Sequence, residues 1–282
     1  MTKTVLFYRD YRGFAGGHLK VRDYYQHLLA LGGYRPQIYF TPESVWPDDQ
    51  PWADRRADVV AEWRPAQADL LFLAGLDWLA LTPEQRAAPP APVINLIQAV
   101  RHADPNDPRH AFLEHPAVRI CVSEEVTRAL QASGRVRGPV ITIPNGIDLS
   151  MLPSPRPWAQ RSVDVLVSGL KQPRLAEQVA ERLAGASGRV EVLTRPLPRA
   201  TYLARLAEAR IAVCLPRATE GFYLPALEAM ALGCLVVCPD CIGNRGFCLD
   251  GETALMPAMD AAAIIAAVAS LLRLDASARR QQ

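Results

Sequence analysis

Short apolar strands alternate with amphipathic helices along both halves of the chain, which predicts an α/β protein with two Rossmann-like, doubly wound parallel-sheet domains. Glycine-bearing turns stand where strands pass into helices, as at GFAGG (13–17) and GLKQPR (169–174). A proline-rich stretch, MLPSPRPW (151–158), falls near the middle, as a linker would. At 282 residues there is enough chain for two domains that each bury a core.

In the first half, residues 4–9 read as a strand, and the turn at Gly16 and Gly17 opens a helix to about residue 31 that Gly32 and Gly33 close. Residues 35–40 form the second strand. The loop over 41–58 carries Trp46 and Trp52, which either line a binding site or anchor the loop. Strands follow at 69–74 and 93–98, with a short helical piece at 83–88 between them. After Gln98 comes AVRHADPNDPRH, polar and broken by prolines, where the C-terminal end of a parallel strand opens outward. A strand at 119–123, a helix at 124–133 and a strand at 140–144 complete the first domain, expected to span 1–148.

The second domain, expected at 149–282, starts with a strand at 163–168. Its turn carries Lys171 and Arg174, two cations suited to a diphosphate or simply exposed to solvent. A helix reaches about residue 183, a strand follows at 189–194, and a loop, RPLPR (195–199), precedes a helix at 201–209. A strand at 211–215 then leads through PRATEG into a helix that begins at Leu224 and Pro225, since proline suits the first helical turn. Gly233 ends that helix, 235–238 is the next strand, and a helix over 260–274 closes the reading.

This strand–loop–helix unit sets two carboxylates, Glu220 and Glu228, with seven residues between them. The backbone amides of Gly221, Phe222, Tyr223 and Leu224 are left open at a helix N-terminus, where anions bind. Two acceptor-only carboxylates beside such a hole suit a ligand with paired hydroxyls and phosphates, which is the chemistry of a nucleotide sugar.

Composition narrows the field. A net charge of +2 gives no electrostatic case for nucleic acid, and the longest apolar runs are too short to span a bilayer. No basic leader and apolar run open the sequence, so the expected compartment is cytoplasmic, with membrane contact at most peripheral. Only three of the 31 basic residues are lysine. Four of the six cysteines, Cys234, Cys238, Cys241 and Cys248, lie close together with one C-x-x-C. They read as small buried hydrophobes, because no second pair of ligands completes a tetrahedral zinc site. No metal and no cofactor are expected.

The segment 220–233, EGFYLPALEAMALG, resembles the signature of family 4 (group 1) retaining glycosyltransferases of the GT-B fold, two Rossmann-like domains facing a cleft. It has Tyr223 where that family usually has glycine. IPNGID (143–148) is similar to the segment that closes the family's first domain, and DGET (250–253) to one of its later turns. The resemblance implies transfer of a sugar from a nucleoside-diphosphate sugar to a hydroxyl acceptor, a glycan or glycolipid, with retention and without a metal. It places Glu220 and either His102 or Gln98 against the sugar, Glu228 on the ribose, and Gly16 and Gly17 near the phosphates. The family's G-R and K-G are absent from the 169–174 turn, so Lys171 and Arg174 are assigned to the phosphates by position and charge, alongside the 221–224 amides. His18, Lys20 and Arg22, in the turns after the double glycine, are read as phosphate or acceptor ligands or as a solvated helix face. Two other readings fit the same residues: a nucleotide-sugar epimerase or hydrolase of this fold, and a catalytically silent subunit that binds a nucleotide sugar.

Overall fold

The structure, a computed structural model, describes residues 2–47, 50–185 and 188–280. The chain divides into two compact units, Met1–Asn145 and Gly146–Gln282, so the division falls inside the IPNGID segment.

The first unit is a six-stranded parallel sheet ordered β2-β1-β3-β4-β5-β6. Its strands are β1 (Lys3–Arg9), β2 (Tyr34–Phe40), β3 (Leu70–Ala74), β4 (Val93–Ile97), β5 (Val118–Cys121) and β6 (Val140–Thr142). Val5, Leu6 and Phe7 of β1 are all buried, as expected of a strand covered on both faces. Phe7 stacks on Phe72 with ring centroids 4.5 Å apart and meets Tyr25 of α1 (Gly16–Leu31) edge-on at 5.3 Å. Pro36 lies in the edge strand β2, where a missing amide is tolerated.

The alternation is less regular than the sequence pattern implies. The crossovers from β2 to β3 and from β4 to β5 run through 3-10 turns, with α-helices reserved for α1, the short α2 (Pro83–Ala87) and α3 (Glu124–Ala132). Pro105 and Pro108 interrupt the second of these crossovers. In the first, Trp52 is fully buried and packs edge-on against Phe40, which also meets Trp46. Both tryptophans therefore anchor the loop.

The second unit is a four-stranded parallel sheet, β10-β9-β7-β8, made of β7 (Val163–Ser168), β8 (Val190–Leu193), β9 (Ala209–Cys214) and β10 (Leu235–Val237). The pleat of β7 sends Leu166 into a core with α5 (Arg199–Ala207) and α6 (Leu224–Ala231), which Val163 joins at the start of the strand. Val165 and Val167 face the opposite core, with α4 (Pro173–Leu183) and α7 (Ala261–Arg280). Helix α5 starts at Arg199, two residues earlier than expected, because Pro198 at its N-cap presets φ at −51°. Arg199 therefore belongs to the helix rather than to the loop before it.

Arginine does much of the bracing. Arg119 is fully buried and donates to the carbonyls of Phe112, Leu113, His115, Ala117 and Arg137 at 2.7–3.2 Å. In the second unit the buried Arg161 donates to the carbonyls of Arg156, Ala209 and Leu232. The planar fork of guanidinium, with five N–H donors, suits clusters of carbonyls that irregular backbone turns toward one point.

Candidate active site

Ser168 of β7 pairs with Cys214 of β9 and with Leu193 of β8, and Val237 of β10 pairs with Val213. All four strands run the same way, so the turns that follow them emerge along one edge of the sheet. In open parallel sheets that edge is where ligands bind.

The loop after β9 is held from outside. Ile242 donates its amide to the Ala218 carbonyl at 3.1 Å, and Tyr223 donates its amide to the Gly243 carbonyl at 3.0 Å. A Cβ on Gly243 would lie 2.6 Å from the Phe222 nitrogen and 2.7 Å from the Glu220 oxygen. Only glycine permits so close an approach of two backbones. The expected set of four open amides is thus reduced to three: Tyr223 has spent its own, while those of Gly221, Phe222 and Leu224 carry no hydrogen bond among the described residues. The Tyr223 side chain is only 3% exposed and lies in the core beneath α6.

Glu220 is half-buried at the end of the loop, and its carboxylate has no ion pair or hydrogen bond among the described residues. Glu228, one turn into α6, is 2% exposed. Arg199 Nη1 stands 2.7 Å from Glu228 Oε1, yet that oxygen accepts no well-aligned hydrogen bond. Tyr202 and Cys214 also neighbour the Glu228 charge, which helps to hold both well above their usual ranges, although burial is the larger cause.

Beside this loop, Gly169 turns the chain into α4. A Cβ there would sit 2.1 Å from that of Ala176, and Gln172 Nε2 donates to the Pro216 carbonyl at 3.3 Å, tying the two turns together. Lys171 and Arg174 are exposed and have no partner among the described residues.

In the first unit, the amides of Gly16 and Gly17 carry no hydrogen bond among the described residues, and no acidic residue stands in the first turn of α1. Gln98 Nε2 donates to the Gly17 carbonyl at 3.3 Å. His102 is instead 4% exposed, and burial, reinforced by Arg109, pushes its imidazole down to about 3. The structure therefore brings Gln98, and not His102, against the double glycine. Of the cations that follow it, Lys20 is buried and paired with Asp23 at 2.6 Å, and Arg22 pairs with Asp54 at 3.0 Å. The His18 ring lies 4.8 Å from that of Tyr11, and burial pushes it down to about 4. These three residues are neither a solvated face nor an open phosphate site.

All six cysteines are buried with free thiols, and no group of three or more His, Cys, Asp or Glu side chains suited to a metal occurs among the described residues. No helix among them is long and apolar enough to cross a membrane. Sequence reasoning did not single out Arg199; the signal was an arginine in the first turn of a helix, where its charge opposes the helix dipole.

No curated protein matches the sequence. Among solved structures, the chain is similar to sucrose-phosphate synthase from Thermosynechococcus elongatus, with TM-score 0.71 and 15% identity over 96% of this chain and 90% of that one. It is also similar to Anabaena HepE in complex with UDP and glucose, with TM-score 0.69 and 14% identity over 98% and 95%. A third is UDP-N-acetylglucosamine 2-epimerase, with TM-score 0.59 and 12% identity over 96% and 87%. At these identities the likeness is one of fold. Residues 144–274 match the family Glycosyl transferases group 1. The two parallel sheets therefore form a GT-B fold, and residues 144–274, in the second half of the chain, are similar to the group 1 glycosyltransferases.

Proposed function

We propose that this protein transfers a sugar, with retention and without a metal, from a nucleoside-diphosphate sugar to a hydroxyl of a glycan or glycolipid. The observation that carries the reading is the unpaired Glu220 carboxylate at the mouth of α6, next to open amides and beside the unpaired cations of the α4 turn. A charged side chain without a partner, on a loop braced by Gly243, is held for something other than stability.

In this reading the second unit binds the donor. The bond between the anomeric carbon and the phosphate oxygen breaks, and its electron pair stays on the departing diphosphate. The negative charge that develops is met by Lys171, Arg174 and the amides of Gly221, Phe222 and Leu224, already in place before the reaction begins. Glu220 orients the sugar hydroxyls and stabilises positive charge at the anomeric carbon. The acceptor oxygen bonds to that carbon on the face the phosphate leaves, and its proton passes to the departing phosphate. Glu228 accepts the ribose hydroxyls. The assignment of Gly16, Gly17 and Gln98 or His102 to donor phosphates and sugar rests on the family resemblance.

The test is calorimetric titration of the protein and of Glu228→Ala with UDP, GDP, TDP and ADP, with UDP first because HepE is described with it bound. One nucleotide binds, and loss of a charged hydrogen bond weakens it by about 1.5–3 kcal/mol in the variant. Failure of all four to bind overturns the donor site. Conversion of the sugar without an acceptor favours the epimerase reading, and a sugar nucleotide that binds without turnover favours the silent subunit.

A further inference from the structure

We infer that Arg199 is a positioning residue: it holds the buried Glu228 carboxylate so that its free lone pairs face an incoming vicinal diol, a role that rests on the donor-binding reading above. A carboxylate that is 2% exposed is costly to desolvate unless a cation stands by, and Arg199 Nη1, at 2.7 Å from Oε1, is the cation that does so. The pairing satisfies charge without satisfying hydrogen bonding, because Oε1 accepts no well-aligned bond. Neither Tyr202 nor Cys214 supplies one: the Tyr202 hydroxyl is engaged with Ser168 Oγ at 3.1 Å, and Cys214 lies at the end of β9. The carboxylate is thus neutralised but still short of donors, and two ribose hydroxyls are donors of the right kind and number.

The position of Arg199 has no explanation in helix stability. It occupies the first residue of α5, where the exposed amides already concentrate positive charge and no acidic residue offsets it. Its backbone is rigid, since Pro198 precedes it and Leu203 and Leu206 of the same helix lie in the core. A side chain launched from such an element holds its partner within the narrow tolerance that recognition needs.

The experiment starts from whichever of the ribonucleotides UDP, GDP and ADP binds most tightly and compares it with its 2′,3′-dideoxy analogue by calorimetry. Wild-type protein is expected to favour the natural nucleotide by about 10- to 100-fold, and Arg199→Ala to reduce that preference to below about threefold, as Glu228→Ala does. The double variant should behave like either single one, and Arg199→Lys, which keeps the charge, should recover most of the preference. Thermal melts confirm that each variant is folded; if Arg199→Ala is not, Arg199→Gln takes its place. A folded Arg199 variant without charge that still discriminates as wild type does overturns this inference and leaves the donor site standing. Absence of binding to wild type overturns both.

Discussion

Gln98 and Gly17 are joined by a side-chain hydrogen bond, and the Gln98 amide nitrogen lies 3.3 Å from the point a methyl group on Gly17 would occupy. Gly17 is helical, so alanine there gains about 1 kcal/mol of helix propensity but must displace that carboxamide. Gly17→Ala is therefore expected to be close to neutral in the wild type. In a Gln98→Ala background it should stabilise by about 0.5–1 kcal/mol, a coupling that a double-mutant cycle by urea denaturation measures.

Gly243 and Gly246 stand three residues apart in one loop and should respond in opposite ways. A Cβ on Gly243 meets backbone of Glu220 and Phe222, which cannot swing aside, whereas one on Gly246 meets nothing within 4 Å. Gly243→Ala should displace the Glu220 loop and lower turnover by about tenfold or more, the scale expected when a reacting group is misplaced by an ångström. Gly246→Ala should keep wild-type rates.

Arg119 offers a stability test. Burial pulls its guanidinium down to about 10, so it is still protonated at neutral pH, and it serves five carbonyls with no carboxylate partner among the described residues. Replacing it by Met removes five donated bonds, leaves the His115 and Ala117 carbonyls without a donor among the described residues, and is expected to cost about 3–5 kcal/mol in denaturant unfolding. Arg135, in an exposed pair with Glu114, should cost under about 1 kcal/mol when changed to Ala.

The buried histidines set the acid limb of the stability curve. His102 is held near 3 and His18 near 4, below the value of about 6.5 expected in the unfolded chain. Between those values the unfolded chain binds more protons than the folded one. Their contribution is complete above pH 6.5 and is lost as the pH falls toward the folded values. From pH 7.5 to 5, His102→Gln should lose about 2 kcal/mol less stability than wild type, as read from urea midpoints at the two pH values.

The strands were legible because each is an apolar run closed by glycine, proline or a polar turn, and all ten stand within about two residues of where the sequence puts them. The 220–233 segment was legible because its composition, order and helix punctuation agree. Partnerships between distant residues were not. Nothing local to Lys20 or Arg22 says whether a carboxylate lies within reach, and both cations are taken by Asp23 and Asp54. The amide of Tyr223 looks open until Gly243, twenty positions later, closes on it. Arg119 reads as an ordinary charge at the start of a strand, although the carbonyls it serves come from two turns on either side of β5.

The scarcity of lysine has a practical consequence. Of the three, Lys20 is buried and ion-paired, while Lys3 and Lys171 are exposed. An amine-directed reagent thus meets two side-chain amines on the folded surface, one at the start of β1 and the other on the turn into α4. Changing Lys3 to Arg leaves Lys171 as the single surface side-chain amine, an attachment point for a fluorophore or an affinity handle with a reporter built in for whatever occupies that turn.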